Sequence, residues 1–230
     1  MNVLTPLQRD FLYNFFAQPA AAPFVLTGGT ALTAFYLHHR QSEDVDLFAV
    51  APISDLKDTS LLDAGRLAAI AAAEIMGVAY ETRLLTTTLQ QVFLTRAAEP
   101  RLKVDIVRDP GPLFGETKEF DGVRVDSRLN IAVNKVNAVF GRTTARDFID
   151  LYVLLHSGFD FDDLFTLAQQ KDTGLEEFYF SRMVRLVSRL GQDDMPIMLK
   201  PIDLEMVKRF FLDLADRLAD QVNPTWRGQA

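Results

Sequence analysis

Two aspartates one residue apart, Asp44 and Asp46, stand in the run EDVDLFAV (43–50), which is otherwise apolar enough for a buried strand. Side chains of a strand alternate between faces, so this spacing places both carboxylates on one side while Val45, Leu47 and Ala49 point into the core. Like charges this close repel, and burying them uncompensated is costly. A positive charge has to accompany them. The segment RLKVDIV (101–107) alternates in the same way, with Leu102, Val104 and Ile106 on one face and Lys103, Asp105 and Val107 on the other. Set beside residues 44–50 at the strand spacing of ~4.8 Å, it would bring Asp105 in as a third carboxylate.

The chain has no cysteine, so a thiolate site and a disulfide are both excluded. Hard oxygen ligands favour Mg²⁺ or Mn²⁺, and two such ions ~3.5–4 Å apart are the usual engine of nucleotidyl transfer. Asp44, Asp46 and Asp105 are the candidate metal ligands. Upstream, PFVLT (23–27) reads as a short strand that Gly28-Gly29 turns into a helix running to His39. Backbone N–H groups at such a turn face an anionic triphosphate with no Cβ in the way, and Thr30 and Ser42 add hydroxyl donors.

The remaining pattern divides the chain. Thr5-Pro6 reads as a cap and first helical residue, with Leu7, Phe11 and Phe15 at helical spacing. A helix over 60–76 stops at Gly77, and residues 78–84, 88–96, 101–108 and 122–126 have β-type composition. From Ser127 onward only helices are expected, over 129–140, 146–156, 161–170, 175–190 and 204–222. The expected organisation is an α+β chain with an α/β domain over 1–126 and a helical domain over 127–230. Its 230 residues, 48% hydrophobic, suffice for real cores. The opening MNVLTPLQRD is unlike a signal peptide and no apolar run approaches the ~20 residues of a membrane span, so a cytoplasmic protein without a membrane partner is expected.

The net charge of −7 argues against a generic nucleic-acid coat, yet residues 122–146 hold five basic side chains (Arg124, Arg128, Lys135, Arg142, Arg146) and one acidic (Asp126). Phosphates would go there. Asp147 lies beside these cations on a helix whose apolar stripe is Phe148, Leu151, Tyr152 and Leu155. Each piece has a plainer reading: a solvated strand end for Asp44 and Asp46, a structural turn for Gly28-Gly29, an ion-pair network for Lys135, Arg142, Arg146 and Asp147. Joined, they point to chemistry.

In order along the chain, G-G-T-A-L (28–32), Arg40…Ser42-x-Asp44-x-Asp46, K-x-D-I-V (103–107), Lys135 and R-D-x-x-D-L (146–151) resemble the AbiEii-type nucleotidyltransferase toxins, which include the MenT-type toxins, in the polymerase-β-like superfamily. The resemblance implies a mixed-sheet nucleotidyltransferase core followed by a helical domain. It also implies transfer of NMP from an NTP, tRNA acceptor ends as targets, and neutralisation by a cognate antitoxin. On this reading Asp44, Asp46 and Asp105 are catalytic metal ligands, and Asp105 lies next to the attacking hydroxyl and helps remove its proton. Gly28, Gly29, Thr30 and Ser42 cradle the triphosphate. Lys135, with Arg142 or Arg146, neutralises phosphate charge, and Asp147 holds one of those cations. Two alternatives stand beside it: nucleotidyl transfer to a small molecule, and a non-catalytic module that binds an antitoxin.

Overall fold

The computed structural model describes residues 3–51 and 58–222. Helix α1 (Pro6–Phe16) starts with a capping box: Gln8 N donates to Thr5 Oγ1 at 3.2 Å and Thr5 N donates to Gln8 Oε1 at 2.9 Å. Its apolar face, Leu7, Phe11, Leu12, Phe15 and Phe16, is buried, and Phe15 meets Phe24 edge-on at 6.0 Å. Strand β1 (Val25–Thr27) runs straight into the short helix α2 (Gly28–Ala31), which continues as a π-helical stretch, Leu32–Leu37. The stretch ends at His38, whose φ of 50° is left-handed.

Strands β2 (Val45–Val50), β3 (Ala79–Leu85), β4 (Leu89–Thr95), β5 (Leu102–Asp109), β6 (Lys118–Phe120) and β7 (Val123–Val125) join β1 in a seven-stranded mixed sheet of order β3-β4-β5-β2-β1-β7-β6. The pairs β2/β5 and β1/β7 are parallel and the others antiparallel. Strand β6 is absent from the sequence-based expectation: Lys-Glu-Phe carries no alternation of its own and becomes a strand only by pairing across the Asp121-Gly122 turn with β7. Helix α3 (Ser60–Met76) lies on the sheet through small residues. A Cβ on Gly65 would be 2.6 Å from the Phe24 ring and 2.7 Å from Ile106 Cγ2, and Ala68, Ala69, Ala72 and Ala73 continue that face. The helix ends at Gly77 in the left-handed conformation, as its position predicts.

The chain forms two compact units, Met1–Ile131 and Ala132–Ala230, with the division inside helix α4 (Arg128–Gly141). In the second unit the elements assigned among the described residues are all helical: the rest of α4, α5 (Ala145–His156), α6 (Phe161–Lys171), α7 (Glu177–Val184) and α8 (Leu204–Val222), with short 3₁₀ turns. Its core is aromatic. Phe148 meets Phe211 at 5.0 Å, and Phe161, Phe165 and Phe180 touch in a cluster. The helix expected over 175–190 is shorter than its apolar pattern, since Arg185–Arg189 tightens into 3₁₀ geometry.

Candidate active site

The pairing of β2 with β5 sets Asp46 opposite Asp105 in register, and Val45, Leu47 and Ala49 are buried behind them. Asp44 lies one residue before the strand, on the same side as Asp46 by alternation. The D-x-D pair and the aspartate of K-x-D therefore belong to neighbouring strands of one sheet.

The counter-charge for these acids is a residue not assigned a role from sequence. Lys103 Nζ stands 3.0 Å from Asp44 Oδ2 and 3.2 Å from Asp105 Oδ2. Burial alone would lower its pKa, but the two carboxylates outweigh that and raise it above the ordinary lysine value. On the third strand, Gln91 is in register with Asp105 and its Nε2 donates to Asp105 Oδ1 at 2.9 Å. The period-2 spacing of Lys103 and Asp105 was the available signal for the lysine, because residues i and i+2 of a strand share a face. Gln91 had none in the sequence.

The glycine turn is pressed against the same acids. Gly28 has φ +69°, and a Cβ there would lie 2.1 Å from Asp46 Oδ2. At Gly29 a Cβ would lie 2.6 Å from an Arg40 guanidinium nitrogen and 3.0 Å from Ser42 Oγ. Gly28 thus needs glycine both for its left-handed backbone and for its contact with Asp46, while Gly29 lets Arg40 and Ser42 pack close to the turn. The Thr30 hydroxyl donates to the Asp44 carbonyl and the residue is buried, so its side chain braces the turn against the D-x-D segment. Gln8 Nε2 donates to the Ser42 carbonyl at 2.8 Å. Thr27, just before the turn, donates to Asp126 Oδ2 at 2.7 Å, and Asn130 Nδ2 donates to the same oxygen at 2.7 Å. Asp126 is 1% exposed and anchors the end of β1.

Among the described residues no group of three His, Cys, Asp or Glu is gathered tightly enough to hold a metal ion. The donor chemistry nonetheless fits Mg²⁺ or Mn²⁺: three carboxylates on two neighbouring strands and no sulfur ligand.

In the second unit Lys135, on α4, is buried between two carboxylates of α5. Its Nζ is 2.8 Å from Asp147 Oδ1 and 2.7 Å from Asp150 Oδ2, and both aspartates have no exposed side-chain surface. Asp147 is saturated: Arg142 Nε donates to Oδ2 at 2.7 Å, Arg142 contributes a second bond to Oδ1 at 3.3 Å, and Thr144 Oγ1 donates to Oδ2 at 2.5 Å. Burial would raise its carboxyl pKa, yet the Lys135 charge and the bonds from Arg142, Lys135 and Thr144 hold it well below the usual carboxylate range. The Arg142 side chain stays 55% exposed and Arg146 is exposed. The sequence spacing offers Asp150 only as an i,i+4 partner of Arg146; the R-D-x-x-D spacing also puts it on one helix face with Asp147, and the fold brings Lys135 to both.

Arg124 is committed elsewhere. Its guanidinium donates to the carbonyls of Phe24, at 3.2 Å, and Ala21, and lies 5.1 Å from the Phe16 ring centre. It ties β7 to the segment before β1.

The profile of the family described as "Nucleotidyl transferase AbiEii toxin, Type IV TA system" matches residues 10–225. Among curated proteins none matches the chain. Solved structures that share its fold include the following. JHP933 from Helicobacter pylori is 20% identical, with a TM-score of 0.57 over 96% of this chain and 93% of that one. The nucleotidyltransferase toxin MenT4 from Mycobacterium tuberculosis H37Rv is 16% identical, with a TM-score of 0.60 over 96% of this chain and 88% of that one.

Proposed function

The chain belongs to the AbiEii family of nucleotidyltransferase toxins, and from that premise we propose that it transfers NMP from an NTP to the 3′ end of an RNA, tRNA being the favoured acceptor. The observation that carries this reading is the registration of Asp46 with Asp105 across β2 and β5, with Gly28 pressed against Asp46. In the reaction the acceptor hydroxyl oxygen forms a bond to the α-phosphorus, the α–β phosphoanhydride bond breaks, and pyrophosphate leaves. The hydroxyl proton passes to a base, for which Asp105 is proposed.

Asp44, Asp46 and Asp105 would hold Mg²⁺ or Mn²⁺, which when bound neutralises triphosphate charge and lowers the pKa of an attacking hydroxyl. Gly28 and Gly29 would admit the triphosphate close to the backbone, with Ser42 as hydroxyl donor and Thr30 keeping the turn in place. In the second unit Arg142 and Arg146 are proposed to meet phosphate and Lys135 to supply fixed positive charge. Asp147 would orient Lys135 and Arg142. A cognate antitoxin is the proposed protein partner and the cytoplasm the proposed compartment. No described helix is long and apolar enough to cross a membrane.

The test is incubation of the purified protein with Mg²⁺, each labelled NTP in turn and total RNA. Label in a tRNA band is the expected result. Label only in small molecules would move the assignment to a small-molecule acceptor, and no label with any NTP would leave the non-catalytic antitoxin-binding module. An RNA path along the basic stretch also predicts that Arg128→Glu weakens RNA binding, and flattens its salt dependence, without changing NTP affinity.

A further inference from the structure

We infer that Lys103 is a resident counter-cation of the carboxylate site, which a divalent ion must displace, so that it suppresses binding of free metal and reserves the site for metal delivered with a triphosphate. The inference rests on the nucleotidyltransfer reading of Asp44, Asp46 and Asp105. Its observation is the bridge itself: one ammonium 3.0 Å from Asp44 Oδ2 and 3.2 Å from Asp105 Oδ2, with the three groups only partly exposed.

An Mg²⁺ ion draws oxygen ligands to ~2.1 Å and demands a regular octahedron. An ammonium accepts looser spacing and satisfies the same oxygens through hydrogen bonds. The carboxylates of Asp44 and Asp105 stand at ammonium distances from Lys103, and among the described residues no three acids are gathered tightly enough for a metal. A free ion entering here has to break both contacts and shed water. An ion already carried on a triphosphate arrives with phosphate oxygens in its shell, so it sheds less water and brings further binding groups to the Gly28-Gly29 turn beside Asp46. Lys103 can leave the carboxylates without moving the strand, since the ammonium sits at the end of a four-carbon stem with rotatable bonds and is held by its contacts to Asp44 and Asp105.

Lys103 is a positioning residue on this account, and the test reads metal binding directly. Affinity for Mn²⁺ without nucleotide is measured by electron paramagnetic resonance for wild type, Lys103→Met and Lys103→Arg, together with thermal melting without metal. Lys103→Met should melt lower than wild type without metal, recover on addition of Mn²⁺, and bind free Mn²⁺ about tenfold tighter or more, whereas Lys103→Arg, which keeps the charge, stays within about threefold of wild type. Equal or weaker Mn²⁺ binding by Lys103→Met overturns the inference.

Binding of Mn²⁺ with a non-hydrolysable NTP analogue separates the two levels. If wild type binds the pair but Lys103→Met gains nothing for free Mn²⁺, only the role of Lys103 falls. If no protein binds the pair, the nucleotidyltransfer reading falls with it. Should Lys103→Met not fold, amine labelling of wild-type Lys103, read by mass spectrometry with and without saturating Mn²⁺, decides. Labelling should rise as the lysine is released, and unchanged labelling with Mn²⁺ bound refutes displacement.

Discussion

Gly28 stands so close to Asp46 that a Cβ on the glycine would lie 2.1 Å from Asp46 Oδ2, and the glycine is in the left-handed region at φ +69°. Two independent constraints act on one position. The backbone conformation disfavours any L side chain by about 1 kcal/mol or more, and the steric conflict falls on a proposed metal ligand. Gly28→Ala should therefore lower the melting temperature by only a few degrees while abolishing nucleotidyl transfer. Calorimetry beside a labelled-NTP assay checks this; full activity in the variant would remove the turn from the site.

Asp46→Asn keeps the shape of the side chain and deletes its charge. Because Asp46 shares its sheet face with Asp44 and Asp105, the variant should stay close to wild type in stability in the absence of metal. Nucleotidyl transfer should fall by at least about a hundredfold, a loss typical of a missing electrostatic or metal-binding group in a reaction of this kind. Transfer near the wild-type rate would take Asp46 out of the chemistry.

Lys135→Met leaves Asp147 and Asp150 buried with less positive charge beside them. Removal of one partner from a buried pair costs about 3–5 kcal/mol, so this variant should be strongly destabilised in urea unfolding. Burial between two carboxylates is what makes the loss of this one charge costly to stability. Adding Asp150→Asn should restore part of the stability. If Lys135 also acts on phosphate, activity should stay lost in the double variant, and its return would leave Lys135 with a structural role only.

Acid should act on the second unit through Asp147. Its folded-state pKa is depressed, so its contribution to stability is complete above the unfolded value of about 3.9 and is lost as pH falls below it toward the folded value. Urea unfolding at steps from about pH 6 down to about pH 2.5 should show stability falling with acidification more steeply in wild type than in Asp147→Asn. The same slope in both proteins would mean that Asp147 has no depressed pKa.

Arg124→Glu should destabilise the protein, because the arginine caps the carbonyls of Ala21 and Phe24 and covers the Phe16 ring. A lower melting temperature with unchanged RNA affinity is the expected pattern, in contrast to Arg128→Glu. Equal melting temperatures for wild type and Arg124→Glu would refute the structural role.

The local patterns of this chain determined much of what it is. Period-2 alternation around Asp44, Asp46 and Asp105 marked two strands with acids on one face, and the change to helical spacing after Ser127 marked the all-helical part, because side-chain periodicity is a property of neighbouring residues. Partnerships between distant segments lay beyond it. Strand pairing decided that Asp46 faces Asp105 and that Lys103 bridges Asp44 and Asp105. It also made a strand of Lys118–Phe120, which has no β pattern of its own. Helix packing decided that Lys135 is buried between Asp147 and Asp150, while the fold of the first unit turned Arg124 from a free surface charge into a tie between backbone carbonyls. A charge in a sequence has no partner until the fold selects one, since the dielectric around it and the distance to its neighbours arise only when remote segments pack together.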